Sequence, residues 1–386
     1  MQRATGSPRP GWQQKIEEQG LVFGTPAAGL NGARPYWDES VHYVLDMAEV
    51  LSLEADVELL HSMCLEAVDH VVTTERFRDF ALPEWSWEAV AASWRRGDPH
   101  LYGRFDLRYD GSGPAKLMEY NADTPTSLLE ASICQWYWLK DVHPDDDQWN
   151  SLHEKLVERW GEIAAKLPRN EVHFCWSQAD PTGEDHVTVA YLQECAAEAG
   201  LDTVGLAIEQ LGWDSALDRF VDLEEAPTAT VDKLYPWEWI LGDDFGKHVV
   251  RSLPETTWIE PLWKTLLSNK ALLAVLWEMY PGHPNLLPAS LGDPGFLTEY
   301  VRKPLLGREG ANIAVVAPGY ETETGGVYGE EGYVYQLFDP LPEFDGYRPA
   351  LGAWIVGDTS AGLGIRETTG LITDNGAAFV PHRIPD

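Results

Sequence analysis

The spacing of apolar residues changes along this chain, and each spacing predicts a different kind of structure. Between residues 41 and 71 apolar residues recur at helical spacing, which predicts two helices. From 149 to 208 the pattern runs helix, strand, helix, strand, as in a parallel sheet with crossover helices. The last hundred residues hold short apolar runs between Gly-rich turns, which favours an antiparallel sheet. The sequence therefore predicts an α/β (α+β) fold with a mainly antiparallel sheet and a smaller parallel α/β subdomain.

Local signals place the individual elements. Residues 1–38 are rich in glycine and proline and are expected to form an arm or loop. The turn sequence at 110–114 predicts a hairpin between its two flanking runs. A helix running to Met279 is expected to use Ser268 as its N-cap. The other expected elements are helices at 127–139, 149–163 and 186–199, the last ended by Gly200, and strands at 172–176, 204–208, 297–304, 312–317, 332–338 and 350–356.

Acidic residues greatly outnumber basic ones, since 62 Asp and Glu accompany 28 Lys and Arg for a net charge of −34. Such a field repels nucleic-acid phosphate and anionic membranes, so we expect neither nucleic acid nor a membrane as partner. The four cysteines show no CxxC or zinc-finger spacing. No run of 18 apolar residues and no signal-peptide pattern is present. We therefore expect a cytoplasmic protein with buried thiols.

Two polar sequences on the predicted hairpin are candidates for a cation site. Arg104 and Asp106 share one face of the first strand, and Glu119 and Asn121 share a face of the second, because residues two apart lie on the same side of a strand. If the strands align, two carboxylates and a carboxamide converge beside an arginine. Oxygen ligands of this kind suit Mg²⁺. A solvated strand face with a salt bridge would give the same spacing.

Three further segments carry residues suited to anionic or nucleotide ligands. Lys303 lies on a predicted strand leading into a glycine-bounded loop, where backbone N–H groups can approach a phosphate. Lys270 lies at a helix start, and Arg366 follows the Gly-rich bend predicted at 359–367, where it could clamp a carboxylate or phosphate. Gln336 interrupts the apolar strand YVYQLF. An exposed strand edge there would suit an adenine ring, although a core strand is the commoner explanation.

The motifs of several common enzyme classes are absent. The chain contains no GxxxxGK[ST], GxGxxG, HExxH or GxSxG sequence. Its 11 histidines include no convincing metal-ligating pair. Phosphate-loop, dinucleotide-binding, zinc-protease and hydrolase-elbow sites are therefore unsupported.

Six motifs together resemble the synthetase portion of the glutathionylspermidine synthase family, a branch of the ATP-grasp ligases. They run in the family's order from about Phe105 to His382: RFDLRYD, EYNADTPTSLLE, YPWEW, SNKALL, RKPLLGREGANI and AGLGIRETTGLITDNGAAFVPH. The resemblance implies an ATP-grasp fold with a pre-ATP-grasp-like subdomain. We expect an N-terminal arm (1–40), a catalytic domain (41–130 and 231–386) and an inserted small α/β subdomain (131–230). No Cys/His hydrolase segment precedes the motifs, so a stand-alone synthetase without an amidase domain is expected.

The resemblance also implies roles for individual residues. The implied magnesium ligands are Asp106, Glu119 and Asn121. The implied ATP contacts are Lys270, Lys303, Glu309 and Gly310, with the adenine hinge near Gln336 and Leu337. Arg104 and Arg366 are the implied arginines at the reacting centre, and Thr124 and Glu184 are the implied substrate contacts.

The implied activity is an ATP- and Mg²⁺-dependent ligase that joins a small-molecule carboxylate, peptide- or glutathione-like, to an amine through an acyl phosphate. A polyamine or other cationic amine is the expected acceptor, which the net acidity supports weakly. Lys233 is followed by Leu234, Tyr235 and Pro236, without the family's threonine, so the resemblance does not fix the substrates. Two alternatives stay open: a non-catalytic ATP-grasp-fold binding protein, and a glycoside hydrolase, suggested by 17 Trp and abundant carboxylates.

Overall fold

A computed structural model of the chain describes residues 1–23, 34–374 and 376–386. These residues form two five-stranded antiparallel sheets, a four-stranded parallel sheet, a three-stranded sheet and a two-stranded ribbon, with helices packed around them. Residues 24–33 of the predicted N-terminal arm lie outside the described residues.

The helices and strands of the described residues are as follows. The α-helices are α1 (Trp12–Glu18), α2 (Met47–Thr74), α3 (Trp87–Arg96), α4 (Gln135–Val142), α5 (Leu152–Ala164), α6 (Glu184–Glu198), α7 (Trp237–Gly242), α8 (Gly246–Ser252), α9 (Thr265–Ser268) and α10 (Ala271–Met279). The strands are β1 (Gln2–Thr5), β2 (Val41–Val44), β3 (Tyr102–Arg108), β4 (Lys116–Asn121), β5 (Glu171–Trp176), β6 (Asp202–Ala207), β7 (Gly212–Asp214), β8 (Arg219–Val221), β9 (Thr230–Leu234), β10 (Thr257–Ile259), β11 (Ala289–Leu291), β12 (Tyr300–Pro304), β13 (Ala314–Ala317), β14 (Tyr320–Glu323), β15 (Tyr333–Leu337), β16 (Arg348–Val356), β17 (Thr359–Thr368), β18 (Ala378–Val380) and β19 (His382–Arg383). A π-helical turn, Glu130–Cys134, precedes α4.

None of the helices in the described part of the chain combines the length and the apolar character needed to cross a lipid bilayer.

The first antiparallel sheet has the strand order β18-β17-β16-β3-β4 and contains the predicted hairpin. In that hairpin Asp106 lies opposite Glu119, and Arg104 lies opposite Asn121. The register shifts between Asp106 and Leu107, which leaves Met118 without a partner and forms a bulge. The predicted alignment of these four polar residues is therefore confirmed.

The second antiparallel sheet has the order β11-β15-β12-β13-β14. It carries Lys303 on β12 and Gln336 on β15. Because β15 pairs with β11 on one side and β12 on the other, Gln336 lies in an interior strand and is buried. The core-strand explanation of this segment is thus correct, and the exposed strand edge is wrong.

The parallel sheet has the order β10-β9-β5-β6, with α5 and α6 supplying the helices predicted between residues 149 and 199. Its parallel pairing confirms the small α/β unit. Gly200, at a φ of +92°, follows α6 as predicted, since glycine adopts this left-handed conformation without penalty. The sheet continues past residue 230 through β10. The division of the chain into domains stays a prediction.

The N-terminal region differs from its prediction. Instead of two helices, residues 41–74 form strand β2 and one long helix, α2, while the expected arm contributes β1 and α1. Residues Val41–Val44 pair with β1 and β19, both far away in sequence, and local spacing cannot reveal such partners. Asp46 then caps the start of α2: its side chain accepts a hydrogen bond from the Glu49 backbone N–H, and the Glu49 side chain accepts one from the Asp46 backbone N–H.

Two further predictions of local structure are wrong. Residues 359–367 form the extended strand β17 rather than a bend. Its Gly364 packs against an aromatic ring: a Cβ there would lie 3.0 Å from Phe379. At the start of α10 the capping side chain is that of Asn269, which accepts the Ala271 N–H, while the Ser268 hydroxyl accepts the Ala122 N–H.

A buried ion pair joins the parallel sheet to the segment that follows β4. Lys233 Nζ on β9 donates to Asp123 Oδ1 at 2.5 Å, and both side chains are fully buried. The other oxygen of Asp123 accepts the Trp237 N–H at the start of α7, 2.8 Å away. This contact fixes the chain two residues after Asn121.

We expect Asp123→Ala to lower the free energy of unfolding by about 3–5 kcal/mol, because it leaves the Lys233 charge buried without its partner. Urea denaturation followed by circular dichroism measures this change. The double variant Asp123→Leu/Lys233→Met is expected to lower the free energy of unfolding by less, because it removes both charges. A single variant as stable as the wild type would contradict this account.

Candidate active site

One large cavity, of about 760 Å³, is lined by residues of both five-stranded sheets and of the loops around them. Polar groups from the β3–β4 hairpin and β17 face it on one side, and β12 with the loop at 307–310 contributes another side. The segments 124–127 and 177–185 contribute further residues to the lining. These segments are distant in sequence, so the cavity exists only once both sheets have formed.

Arg104 and Arg366 flank the carboxylate of Asp106 on the first sheet. Arg104 Nε donates to Asp106 Oδ1 at 2.7 Å, and its Nη1 donates to the Thr126 carbonyl at 2.6 Å. Arg366 Nη2 lies 3.9 Å from Asp106 Oδ2. Burial opposes ionisation of Asp106, but the Arg104 and Arg366 charges outweigh it and hold its pKa below the ordinary value. Asp106 is therefore an anion at neutral pH.

Two lysines reach this carboxylate-rich sheet from elements outside it. Lys270 Nζ donates to Glu119 Oε1 at 2.8 Å and to the Gly307 carbonyl at 2.5 Å. Lys303 Nζ donates to the Met118 carbonyl and to Gln336 Oε1, each at 2.8 Å. Burial lowers the pKa of Lys303 to about 8, with Lys270 acting in the same direction. Lys303 is thus mostly charged at neutral pH and loses its charge slightly above it.

The loop after β12 brings further polar groups to the cavity. Glu309 and Gly310 both have positive φ, 54° and 73°, and both line it. A Cβ on Gly310 would lie 3.1 Å from Ile372 Cγ2 and from the Thr373 carbonyl oxygen, so glycine allows this close approach. Arg308 Nη1 donates to Thr124 Oγ1 at 3.0 Å. The loop is thereby tied to the segment that follows β4.

Carboxyl groups gather at the part of the cavity formed by the start of α6. Glu184, Asp185 and Asp180 all line it. Burial raises the pKa of Glu184. It also raises the pKa of Asp185 to about 7, to which the charges of Asp180 and Glu184 add. This part of the cavity attracts cations, whereas the lysines and arginines attract anions.

A third part of the lining is apolar. Leu234 and Pro236 face the cavity, and Trp239 lies beside them, partly exposed. The Trp239 ring packs edge-on against Tyr235. A substrate group contacting this wall meets apolar and aromatic surface rather than a hydroxyl.

The structure brings most of the predicted site residues together. Those that line the cavity are Arg104, Asp106, Glu119, Asn121, Thr124, Glu184, Lys303, Glu309, Gly310 and Arg366. Lys270 and Gln336 lie behind this lining, each bonded to a member of it. Leu337 is outside the lining, and its N–H donates to the Pro288 carbonyl at 2.7 Å. The residues that follow it, Phe338 to Leu341, face the cavity instead.

Sequence reasoning missed several residues of this site. Arg308 belongs to the motif RKPLLGREGANI, but its hydrogen bond to Thr124, which is 184 residues away in the chain, has no local signal. Glu130 and Tyr36 meet next to the cavity through a hydrogen bond. No local signal could have paired them, because 94 residues separate them in the chain.

The donor set on the hairpin is compatible with Mg²⁺. Asp106 and Glu119 offer carboxylate oxygens from opposite strands, and Asn121 adds an amide whose nitrogen is buried without a hydrogen-bond partner among the described residues. Hard oxygen donors of this kind suit Mg²⁺, which takes one or two carboxylates and completes its shell with phosphate and water. In the part of the chain that the structure describes, no three His, Cys, Asp or Glu side chains form a metal cage by themselves.

Comparison with known proteins identifies the family. The model of the family described as "Glutathionylspermidine synthase preATP-grasp" matches residues 3–385. The chain belongs to the glutathionylspermidine synthase family. It is 40% identical to a Haemophilus influenzae protein named "Putative acid--amine ligase", over 99% of both chains. The predicted family is thus confirmed.

Two other relatives of this glutathionylspermidine synthase family member are longer. Trypanothione synthetase of Crithidia fasciculata is 30% identical over 84% of this chain and 54% of its own length. The bifunctional glutathionylspermidine synthetase/amidase of Escherichia coli is 28% identical over 86% of this chain and 57% of its own. The chain thus spans about half the length of these two relatives. The predicted class of enzyme, an amide-forming ligase, is confirmed by this kinship, which also removes the glycoside hydrolase alternative.

A solved structure confirms the fold class. A glutathione synthetase-like effector from Globodera pallida superposes with a TM-score of 0.56 over 98% of each chain, at 10% identity. Mixed α/β architecture with antiparallel sheets and a parallel sheet is therefore the fold of this family member.

Lys303 provides a direct test of the cavity's electrostatics. We expect its ammonium group to titrate near pH 8 in the ligand-free protein, because burial disfavours the charged form. The pKa can be measured by reductive methylation of the lysines with ¹³C-formaldehyde followed by an NMR pH titration. The Lys303 resonance is assigned as the one that is missing from the spectrum of Lys303→Arg. Titration at the ordinary value of about 10.4 would show that the cavity is well solvated.

Proposed function

We propose that this chain is an ATP- and Mg²⁺-dependent ligase that joins a small-molecule carboxylate to an amine. The γ-phosphoryl group of ATP passes to the carboxylate, and the amine nitrogen then attacks the carbonyl carbon of the acyl phosphate and displaces phosphate. The observation that carries this proposal is one cavity in which Lys303, Arg104 and Arg366 face the carboxylates Asp106 and Glu119. Phosphoryl transfer depends on such positioning and charge neutralisation.

The cationic residues have separate proposed roles. Lys270 and Lys303 hold the triphosphate from the side of the second sheet, together with Glu309 and Gly310 of the loop. Arg104 and Arg366 hold the substrate carboxylate and the transferring phosphoryl group, since both already flank an anionic carboxylate. The adenine ring is proposed to bind near Gln336 and Leu337, beside the residues that face the cavity.

The hairpin residues Asp106, Glu119 and Asn121 would hold the Mg²⁺. When bound, this ion neutralises phosphate charge. The carboxylates alone would repel a triphosphate, and their ion pairs with Arg104 and Lys270 cancel only part of that repulsion.

The acidic part of the cavity supports a cationic amine, such as a polyamine, as acceptor. Glu184 is proposed to contact this amine, and Thr124 to contact substrate beside Arg308. The apolar wall at Leu234 and Pro236 faces the substrates as well, and a peptide- or glutathione-like acid is the proposed partner of the amine.

The experiment that tests the function measures phosphate release from Mg-ATP, with mass spectrometry of the products, across a panel of peptides, glutathione and polyamines. Phosphate release that requires both an acid and an amine, with a new amide mass, is the expected result. ATP binding with no turnover on any pair would favour the non-catalytic binding protein. Absence of ATP binding would overturn the proposal.

Removal of one cationic side chain should slow the reaction strongly. We expect Lys303→Ala and Arg366→Ala each to lower turnover by roughly two to three orders of magnitude, as when one preorganised charge stabiliser is lost. The exposed Lys247→Ala and Arg251→Ala are matched controls for the loss of charge. Turnover near that of the wild type in both site variants would contradict the assignment.

The proposed metal ligands predict a changed Mg²⁺ requirement. We expect chelation with EDTA to abolish turnover and added Mg²⁺ to restore it. Asp106→Asn should need a higher Mg²⁺ concentration, because it removes an anionic ligand. The exposed Glu321→Gln on β14 is the control. A Mg²⁺ titration of Asp106→Asn that coincides with that of the wild type would exclude Asp106 as a ligand.

A further inference from the structure

A buried carboxyl group beside the cavity has no part in the reaction as proposed above. Glu130 is 1% exposed and lies in the π-helical turn before α4. The Tyr36 hydroxyl donates to Glu130 Oε1 at 2.6 Å and lies 3.1 Å from Ser127 Oγ. Tyr36 and Ser127 line the cavity, whereas Glu130 does not. A path of hydroxyl groups therefore joins the cavity to a carboxyl group that solvent does not reach.

The charges around Glu130 come from three elements. Glu184 approaches from the start of α6, Arg366 from β17, and the Tyr36 hydroxyl from the N-terminal segment. The nearest titratable group on its own helix is the buried Cys134 thiol, whose pKa is raised by burial and by Glu130. Burial and then the Glu184 charge raise the pKa of Glu130 to about 7, against smaller opposing effects of the Tyr36 hydrogen bond and Arg366.

Tyr36 itself does not ionise near neutral pH. Burial, with the charges of Glu130 and Glu184, raises the pKa of its hydroxyl well above the ordinary value. The hydroxyl can therefore pass a proton to Glu130 only if it receives another from the cavity side at the same time. Short hydrogen bonds of this kind suit such a transfer, and an acceptor that titrates near the working pH is the most effective.

We propose that Glu130 accepts, through the Tyr36 hydroxyl, the proton that a cationic amine must lose before it can attack the acyl phosphate. This inference rests on the proposed function and adds a positioning residue to it. A protonated amine has no lone pair, so one proton must leave its nitrogen first. The amine N–H passes to the Tyr36 oxygen while the Tyr36 proton passes to Glu130 Oε1.

The remaining chemistry balances without another group. The neutral nitrogen forms the C–N bond, the C–O bond to phosphate breaks, and the second nitrogen proton leaves with the phosphate as hydrogen phosphate. When the products depart, Glu130 returns its proton through the Tyr36 hydroxyl to water that enters the cavity. The Ser127 hydroxyl, bonded to Tyr36, helps to fix the orientation of that hydroxyl.

The test compares two acceptors with whichever panel acid the wild-type protein activates. Spermidine is cationic at neutral pH, whereas hydroxylamine is a nucleophile that is largely uncharged there and needs no proton acceptor. Glu130→Gln keeps an oxygen for the Tyr36 hydrogen bond but cannot take a proton. We expect it to lower kcat with spermidine by about 10²-fold at pH 7, with little change in KM, and to leave hydroxamate formation near the wild-type rate.

The pH profile separates this role from a structural one. With spermidine, the wild-type kcat should rise as pH increases through about 7, because Glu130 must be ionised to accept the proton. This rise of kcat near pH 7 should be absent in Glu130→Gln and in Tyr36→Phe, and it should be present again in Glu130→Asp. Glu66→Gln makes the same change at a surface carboxyl group that accepts a hydrogen bond from the Tyr280 hydroxyl, so it is the matched control and should keep the wild-type profile.

Three results would overturn the inference. Equal losses with spermidine and hydroxylamine would show that Glu130 supports the fold or the first half-reaction. If kcat of Glu130→Gln with spermidine still rose through about pH 7, the titrating group would be a residue other than Glu130. A wild-type protein that forms neither an amide nor a hydroxamate from any acid of the panel would overturn the proposed function itself, and this inference with it.

Discussion

The central physical constraint in this protein is that opposite charges share a cavity with little access to water. Asp106 stays ionised because Arg104 and Arg366 compensate its burial, and Glu119 forms an ion pair with Lys270. Removing one member of such a group leaves its partner as an uncompensated buried charge, which is strongly unfavourable. The lysines also connect the elements around the cavity: Lys270 links the first sheet to the Gly307 carbonyl of the loop after β12, and Lys303 links the second sheet to the Met118 carbonyl of the first.

The distribution of these charges divides the cavity by function. Lysines and arginines occupy the part built on the sheets, and carboxyl groups occupy the part near α6. In the proposed reaction the nucleotide and the acid would bind in the first part, and the cationic amine would bind in the second. Burial raises the pKa of Asp185 in this part to about 7, and it does the same for Glu130, which lies behind the lining. This separation suits the proposed reaction, which begins with transfer of a phosphoryl group and ends with the loss of protons from an amine.

Much of the fold and of the site could be predicted from the sequence, because many of the signals are local. The hairpin turn and the two-residue spacing predicted which polar residues share a strand face, and the observed register then places Asp106 opposite Glu119. The helix–strand alternation predicted the parallel sheet. The failures have a common physical cause, namely partners distant in the chain. Strand β2 depends on β1 and β19, and the two glycines of β17 allow close packing against other segments, Gly364 against Phe379 and Gly362 against Leu152. Tyr36 and Glu130 likewise meet only in the folded protein.

The two lysines have a consequence for how tightly any anion can be held. Each already donates hydrogen bonds to its own protein: Lys303 to the Met118 carbonyl on the opposite sheet, and Lys270 to Glu119 and the Gly307 carbonyl. These acceptors compete with an incoming anion for the N–H groups of the lysines, and the fold keeps them close to those groups. An incoming phosphate gains only the difference between the new hydrogen bonds and the ones it replaces. An anion therefore has to bond to these lysines more strongly than the acceptors that it replaces, which disfavours weak hydrogen-bond acceptors.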